Sequence, residues 1–150
     1  MRNEIEPTSV VSDHEQLTAI FGKWPSFHDA EVLSIRLERQ GHDFYESPVL
    51  YASIHVFAAR RSEKSPKGIE FYNHTIVSFC FNLVRGLQLA EFNHQNAIFD
   101  LIFEKPPDAP EMTPLRIVFE PSFGIDCSFF CKSVNVVQVE RRLPDNSVYD

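Results

Sequence analysis

Apolar residues recur at every second position over long stretches of this chain, and this period of two is the pattern of β-strands with one buried face. Near the start of the chain, Leu33, Ile35 and Leu37 alternate with polar or charged neighbours. Such stretches lie at residues 31–39, 49–59, 72–84, 87–92, 97–104, 115–120, 125–132 and 134–140. With the short connections between them, they predict an α+β fold built mainly on an antiparallel β-sheet of six to eight strands.

A helical period precedes the first strand. Ser12 and Glu15 fit a capping box, in which each side chain bonds to the backbone amide of the other residue. Apolar residues from Leu17 onward fall on one helical face, and Gly22 stands where a left-handed residue would end a helix. The sequence therefore predicts a short N-terminal helix at residues 13–21, packed on the sheet.

The whole chain, residues 1–150, has the length of a single domain. A domain of this size buries enough surface to fold without disulfides or a metal. Separately, we expect no cofactor. Polar residues dominate 1–11 and 144–150, which we expect to be loose tails. Three cysteines, without an apolar leader or an apolar run long enough to span a membrane, predict reduced thiols, no membrane partner and a cytoplasmic location.

The charge balance narrows the class of partner. The chain has 14 Lys and Arg residues against 21 Asp and Glu residues, which leaves a net charge of −7. Because the basic residues do not cluster, a duplex nucleic acid would be repelled at long range. An acidic surface instead favours rapid encounter with a basic protein. We therefore expect a protein partner and no nucleic acid.

The segment W-P-S-F-H-D-A-E-V, which begins at Trp24 and is called the linker motif below, joins the predicted helix to the first strand. One interpretation is structural: Trp24 and Phe27 plug the space between helix and sheet, and Asp29 accepts hydrogen bonds from backbone donors. Another is catalytic: His28 acts as a general base that Asp29 or Glu31 orients. No Ser or Cys stands in a recognisable nucleophile motif.

The second and third predicted strands flank a charged loop and are expected to form a hairpin. A symmetric pairing sets Ile54 opposite Thr75 and places His55 opposite His74 on the other face of the sheet. Two imidazoles there could hold Zn²⁺ together with a third ligand. A cross-strand histidine pair is more often solvated polar surface, so no metal site is assigned and His55 and His74 remain weak candidates.

Between the fourth and fifth predicted strands lie Asn93, His94, Gln95 and Asn96, called the polar run below. Four polar residues between strands are typical of turns, because their short side chains bond to nearby backbone groups. The same amides could also bind a ligand or a partner. Both interpretations stay open from the sequence.

The linker motif, which continues into an alternating Leu-Ser-Ile-Arg-Leu strand, resembles the immunity protein 50 family of bacterial polymorphic-toxin systems. The stretch F-N-H-Q-N-A-I at residues 92–98 is similar to the family's F-N-x-Q-N stretch between two strands. The resemblance implies an α+β fold and a function in binding a cognate toxin inside the producing cell and blocking it. It brings with it no catalytic residue and no cofactor.

On this resemblance we expect a non-enzymatic immunity protein that neutralises a cognate toxin in the cytosol by steric and electrostatic occlusion. The candidate binding residues are Trp24, Phe27, His28, Asp29, Glu31, Asn93, Gln95 and Asn96. The alternative is a small metal-dependent or ligand-binding enzyme centred on four residues. These are His28, Asp29, His55 and His74. Assembly into a homo-oligomer is compatible with either function.

Overall fold

The computed structural model describes residues 3–39 and 44–145, and most of the regular structure in them is β-sheet. The elements in chain order are β1 (Val11–Ser12), α1 (Glu15–Phe21), β2 (Glu31–Glu38), β3 (Val49–Arg61), β4 (Ile69–Asn82), β5 (Arg85–Ala90), β6 (Ala97–Glu104), β7 (Leu115–Phe123), β8 (Asp126–Cys131) and β9 (Ser133–Glu140). Single turns of 3₁₀ helix lie at Pro7–Ser9 and Phe44–Glu46. The strands form one sheet in the order β1-β9-β4-β3-β2-β6-β7-β8-β5.

The prediction of a mainly β fold with one short helix is confirmed, whereas two details of the predicted sheet are wrong. The described residues form nine strands instead of six to eight, and the sheet is mixed instead of antiparallel throughout. Both differences come from β1, which runs parallel to β9 with Val11 beside Val134. A strand of two residues is too short to show alternation, so the sequence pattern did not reveal it.

Helix α1 ends as predicted but begins differently. The amide of Gly22, which has a φ of 80°, donates to the carbonyl of Thr18 across 2.8 Å and closes the helix. The predicted capping box is wrong, because the residue before the first turn is His14 and it makes no side-chain capping bond. Ser12 belongs instead to β1. This segment therefore pairs with β9 as part of β1 instead of capping the helix.

The β3–β4 hairpin is slipped by two residues from the symmetric pairing. Ile54 lies opposite Val77, where the prediction set Thr75. The register changes between Val56 and Ala58, where a β-bulge interrupts the ladder. Alternation alone cannot reveal a bulge. Between Leu50 and Val56 the slip is an even number of residues, so these side chains keep their face of the sheet and the predicted core side stays buried. Beyond the bulge, Ala58 lies opposite Tyr72 and the slip is a single residue.

Phenylalanine supplies much of the core. The ring of Phe81 on β4 meets the ring of Phe129 on β8 edge-on, with centroids 5.0 Å apart, and it also packs on Phe79. Six phenylalanines are fully buried: Phe27, Phe79, Phe81, Phe103, Phe119 and Phe129. Burial of each such ring stabilises the fold by about 2 kcal/mol relative to exposure. These contacts hold the strand pairs β3–β4 and β7–β8 against each other.

Strands β2 and β6 meet only at a corner of the sheet. Their ladder consists of the pair Glu31 and Ala97, while β2 stays paired with β3 along its length. The two hydrogen bonds of this pair run from the Val32 amide to the Asn96 carbonyl across 2.8 Å and from the Ile98 amide to the Ala30 carbonyl across 3.0 Å. This corner places the end of the linker motif beside the polar run.

The two ends of the described chain lie against the sheet. The Ile5 amide donates to the Phe103 carbonyl across 2.9 Å, and Pro144 is buried. The division into one domain with loose tails at 1–11 and 144–150 stays a prediction. No helix within the described ranges is long and apolar enough to cross a membrane.

Candidate functional site

Trp24 and Phe27 are part of the core. The Trp24 ring packs on Phe27, on Phe79 and on Phe103, with centroid separations of 5.7, 6.1 and 6.0 Å. Phe27 is fully buried, and Trp24 is half-buried. This geometry favours the structural interpretation of both aromatic residues, and it leaves the polar half of the linker motif at the surface. Their assignment as partner-binding residues stays a prediction.

His28 and Asp29 lie side by side at the surface. The Nε2 atom of His28 is 3.6 Å from a carboxylate oxygen of Asp29, and both side chains are more than half exposed. The Asp29 backbone has a φ of 65°, and this turn brings two neighbouring side chains together that an extended strand would separate. The ring of His28 also stacks on Phe99, with centroids 5.9 Å apart, and its Nδ1 atom is 3.3 Å from the Phe99 carbonyl oxygen.

His28 and Asp29 line a groove of about 410 Å³ between the linker motif and the β3–β4 hairpin. The aromatic residues Phe57, Phe71 and Tyr72 form its other wall. The sequence did not point to these aromatic residues or to Phe99 as neighbours of His28. Phe57 follows Val56 at the β-bulge of β3. This bulge turns Phe57 toward the groove, and the alternating sequence pattern does not reveal it.

His55 and His74 contact each other despite the slipped register. His55 is opposite Ile76 in the ladder, yet its Nε2 atom lies 3.0 Å from Nδ1 of His74, so the two rings share a hydrogen bond. Burial, and then the neighbouring His74, lower the pKa of His55 to about 4, and burial lowers the pKa of His74 as well. The prediction of a solvated pair is wrong for His55, which is fully buried.

The metal and enzyme alternatives find little support in this geometry. Phe57 lines the His28 groove while packing on His55 and His74, with centroid separations of 5.3 and 5.8 Å. The four residues of the predicted constellation therefore do not converge on one groove. Nowhere in residues 3–39 and 44–145 do three or more His, Cys, Asp or Glu side chains form a group that could hold a metal ion.

The cysteines offer little nucleophilic character. Cys80, Cys127 and Cys131 are free and buried. Burial raises the pKa of Cys127 and of Cys131 to about 12, and it raises the pKa of Cys80 as well. A thiol is nucleophilic only as the thiolate, so these side chains remain protonated near neutral pH.

The polar run forms a turn that its own side chains hold together. The Asn96 side-chain oxygen accepts hydrogen bonds from the amides of Asn93 and Ile125, at 2.9 and 3.1 Å. Its Nδ2 atom donates to the Asn93 carbonyl across 2.9 Å, and the Asn93 side chain accepts from the Gln95 amide. Asn96 is buried and fully engaged. The turn interpretation therefore accounts for Asn96, while a role of Asn93 and Gln95 in binding stays a prediction.

The corner between β2 and β6 opens into a second groove, called the Glu31 groove below, with a volume of about 310 Å³. It joins the linker motif to the polar run. Its lining residues are Glu31, Val32, Leu33, Asn93, His94, Gln95, Asn96 and Asp145. Among the predicted residues, Glu31, Asn93, Gln95 and Asn96 thus come together, whereas His28 and Asp29 face a different groove. Asp145 lies far away in sequence, and no local pattern indicated its position.

Glu31 is the titratable group whose environment is most unusual in this groove. Its side chain is half-buried, and burial raises the pKa of its carboxyl group. No hydrogen bond or ion pair joins this carboxylate to any residue that the structure describes. By contrast, Glu46 pairs with Lys132 across 2.6 Å, and Glu70 pairs with Arg60 across 3.1 Å. The groove therefore holds a charge that lacks a neutralising group among the described residues.

In the part of the chain that the structure describes, the fold is a mainly β domain with one short helix and with surface grooves beside its linker motif. The chain belongs to the immunity protein 50 family, whose sequence model matches residues 13–141. The match covers α1, the linker motif, the polar run and strands β2 to β9. The comparisons yield no match to a curated protein and none to a solved structure.

Proposed function

We propose that this chain is an immunity protein that binds a cognate bacterial toxin in the cytosol of the cell that produces it. The family match over residues 13–141 carries the proposal. The partner is a protein, and neither a nucleic acid nor a membrane is required. Neutralisation follows from occlusion, because the bound immunity protein covers the toxin's active site or the surface on which its target must dock.

The size of the domain is sufficient for occlusion. Stable protein–protein interfaces bury about 800 Å² on each partner. The accessible surface here is 8881 Å², so an interface of that size would take up about a tenth of it. Exposed aromatic side chains near the linker motif, such as Phe71 and Phe99, are of the kind that anchors an interface.

The charge of the chain supports electrostatic steering of a basic toxin. Several carboxylates are already neutralised by ion pairs, such as Glu46 with Lys132 and Glu104 with Arg116. The net charge of −7 nevertheless leaves an excess of negative groups. Complementary charge accelerates encounter and suppresses wrong partners, and both effects weaken as salt screens the field.

The test uses the product of the neighbouring open reading frame as the toxin. Co-expression with this chain should restore growth of cells that the toxin alone arrests, and the two purified proteins should co-elute as one complex. Absence of a complex together with absence of rescue would overturn the proposal.

The enzyme alternative predicts a different result in the same two experiments. An enzyme that modifies the toxin or removes its product would protect cells without forming a stable complex. Its predicted centre has weaker support, because Phe57 separates the His28 groove from the His55–His74 contact. Rescue without a complex would favour this alternative.

A further inference from the structure

Among the residues that the structure describes, most of β2 has a partner strand on one side only. The β2–β6 ladder holds at Glu31 and Ala97 and goes no further, whereas β2 pairs with β3 as far as Glu38. No backbone hydrogen bond joins residues 33–38 to any described residue on the side away from β3. This side of residues 33–38, called the β2 edge below, is a strand edge within the sheet rather than at its end. An unpaired edge is a template for an additional strand.

Apolar side chains accompany the β2 edge. Ile35 lies opposite Ala52 and Leu37 opposite Leu50, so both point to the face of the sheet that carries the core. Ala52 and Leu50 are fully buried, whereas Leu37 is 50% exposed and Ile35 is half-buried. The core face is thus incompletely covered along this edge. An added strand with alternating apolar residues would cover it.

The Glu31 groove lies at the start of the same edge. Leu33 is both a wall of the groove and the first residue of the edge. No Lys or Arg is among the described residues that line the groove, while the carboxylates of Glu31 and Asp145 are. Asp145 lies 4.0 Å from Arg142, but Glu31 has no such neighbour among the described residues. A basic side chain would therefore find a complementary charge here.

We infer that the β2 edge and the Glu31 groove form the docking site for one extended segment of the toxin. The segment adds to residues 33–38 as a β-strand, and a Lys or Arg side chain of the segment enters the groove and pairs with Glu31. Backbone hydrogen bonds supply affinity in this mode of binding, and the charged contact selects the register. The inference rests on the proposed function, because the occupant is a segment of the toxin.

A second copy of this chain is a less suitable occupant. Each copy carries a net charge of −7, so two copies repel each other at long range. The same charge attracts a basic segment. Arg36, the basic residue within the edge, is already engaged, since it pairs with Glu38 and lies over the ring of Tyr51 at 4.2 Å.

The charge arm of the test compares two variants that change the net charge equally. Glu31→Lys removes the proposed contact, and Glu111→Lys places the same change on the exposed 105–114 loop. Affinity for the neighbouring gene's product is measured by calorimetry. Glu31→Lys should weaken binding at least about tenfold more than Glu111→Lys does. Equal effects of the two variants would overturn the groove contact.

The strand arm uses Leu37→Arg against Leu89→Arg, which changes an exposed leucine of β5, the last strand in the sheet order and four strands away from β2. Leu37→Arg should weaken binding at least about tenfold, and Leu89→Arg should not. Hydrogen exchange of the wild-type complex needs no variant. In the complex, amides of residues 33–38 should exchange at least about tenfold more slowly than in the free protein.

The outcomes separate the two proposals. A tight complex whose residues 33–38 exchange as fast as in the free protein would overturn the docking site and leave the proposed function standing. Absence of any complex would overturn the proposed function, and the docking site with it. Light scattering is the remaining check: a stable dimer of the free protein that Leu37→Arg dissociates would assign the edge to a second copy and overturn the inference.

Discussion

Asn96 and Ile125 are joined by a buried hydrogen bond, in which the Ile125 amide donates to the Asn96 side-chain oxygen across 3.1 Å. The bond connects the polar run to the turn between β7 and β8. The same oxygen accepts from the Asn93 amide, so one side chain holds two loops in a fixed relation. These bonds therefore hold one wall of the Glu31 groove rigidly in place, which suits a surface that recognises a partner.

Substitution of Asn96 should destabilise the protein strongly. Asn96→Ala leaves the buried Ile125 amide and the Asn93 amide without their acceptor, which we expect to cost about 2–4 kcal/mol. Gln95→Ala, whose side chain bonds to no described residue, should change stability by less than about 0.5 kcal/mol. Urea denaturation of both variants measures the difference. A mild effect of Asn96→Ala would show that the turn stays in place without the bond.

Gly124 should tolerate no side chain. Its φ is +81°, and a Cβ atom there would lie 2.3 Å from the Gln95 carbonyl oxygen and 2.7 Å from the Asn96 side-chain oxygen. Gly124→Ala should therefore cost about 3 kcal/mol. Gly22 is the matched control, because its φ is +80° but a Cβ atom there would have no other atom within 4 Å. Gly22→Ala should cost only the backbone strain, about 1 kcal/mol, and equal costs at the two sites would contradict this account.

His55 should make the protein less stable in mild acid. Its pKa is about 4 in the folded protein, against an ordinary value of 6.5. Between these pH values the unfolded chain binds a proton that the folded chain does not, so the free energy of unfolding falls as the pH decreases through this window. His55→Gln should reduce this pH dependence in urea denaturation.

His94→Gln serves as the control, because His94 is exposed at the polar run. It should keep the pH dependence of the wild type. A His55→Gln variant that loses stability in acid as steeply as the wild type would show that other groups cause the effect. The pKa of His74 is also lowered, so His74 destabilises the folded protein in acid as His55 does. The pH dependence that remains in His55→Gln is expected to come from His74.

Glu31 should stabilise a complex while destabilising the free protein. Burial raises the pKa of its carboxyl group, so the charged form of this half-buried side chain is less favourable in the folded chain than in the unfolded chain. Glu31→Gln should raise the free energy of unfolding near pH 7, and the gain should vanish below the ordinary pKa of 4.5, where the carboxyl group is protonated in both states. Glu111→Gln should bring no gain. A loss of stability on Glu31→Gln would mean that the charge has a structural role.

The sequence predicted strand positions well because alternation depends only on which face of a strand is buried. It failed where the sheet departs from regular pairing. The bulge after Val56 shifts the β3–β4 register, and it brings His55 to His74 by a diagonal route instead of directly across the ladder. The sequence did not predict strand β1. This strand is stabilised by pairing with the distant segment β9, and its own two residues show no pattern.

Several residues that line the Glu31 groove stand in the two motifs of the sequence, but their arrangement could not be predicted. The two motifs supplied Glu31 and the polar run, yet only the corner at Glu31 and Ala97 shows that they form one groove. The one-sided pairing of β2 is likewise invisible in the sequence, since residues 31–39 alternate like any strand with two neighbours. Partner strands are decided by tertiary packing, and a local pattern carries no information about it.

The central claim is that this chain neutralises a toxin by binding it, and a stoichiometric titration tests that claim most directly. The neighbouring gene's product, at a concentration far above the dissociation constant, is mixed with increasing amounts of this chain, and its toxic activity is measured. The account predicts a linear loss of activity that is complete at one equivalent and does not progress with time. Complete neutralisation by a small fraction of an equivalent, or none at any ratio, would contradict it.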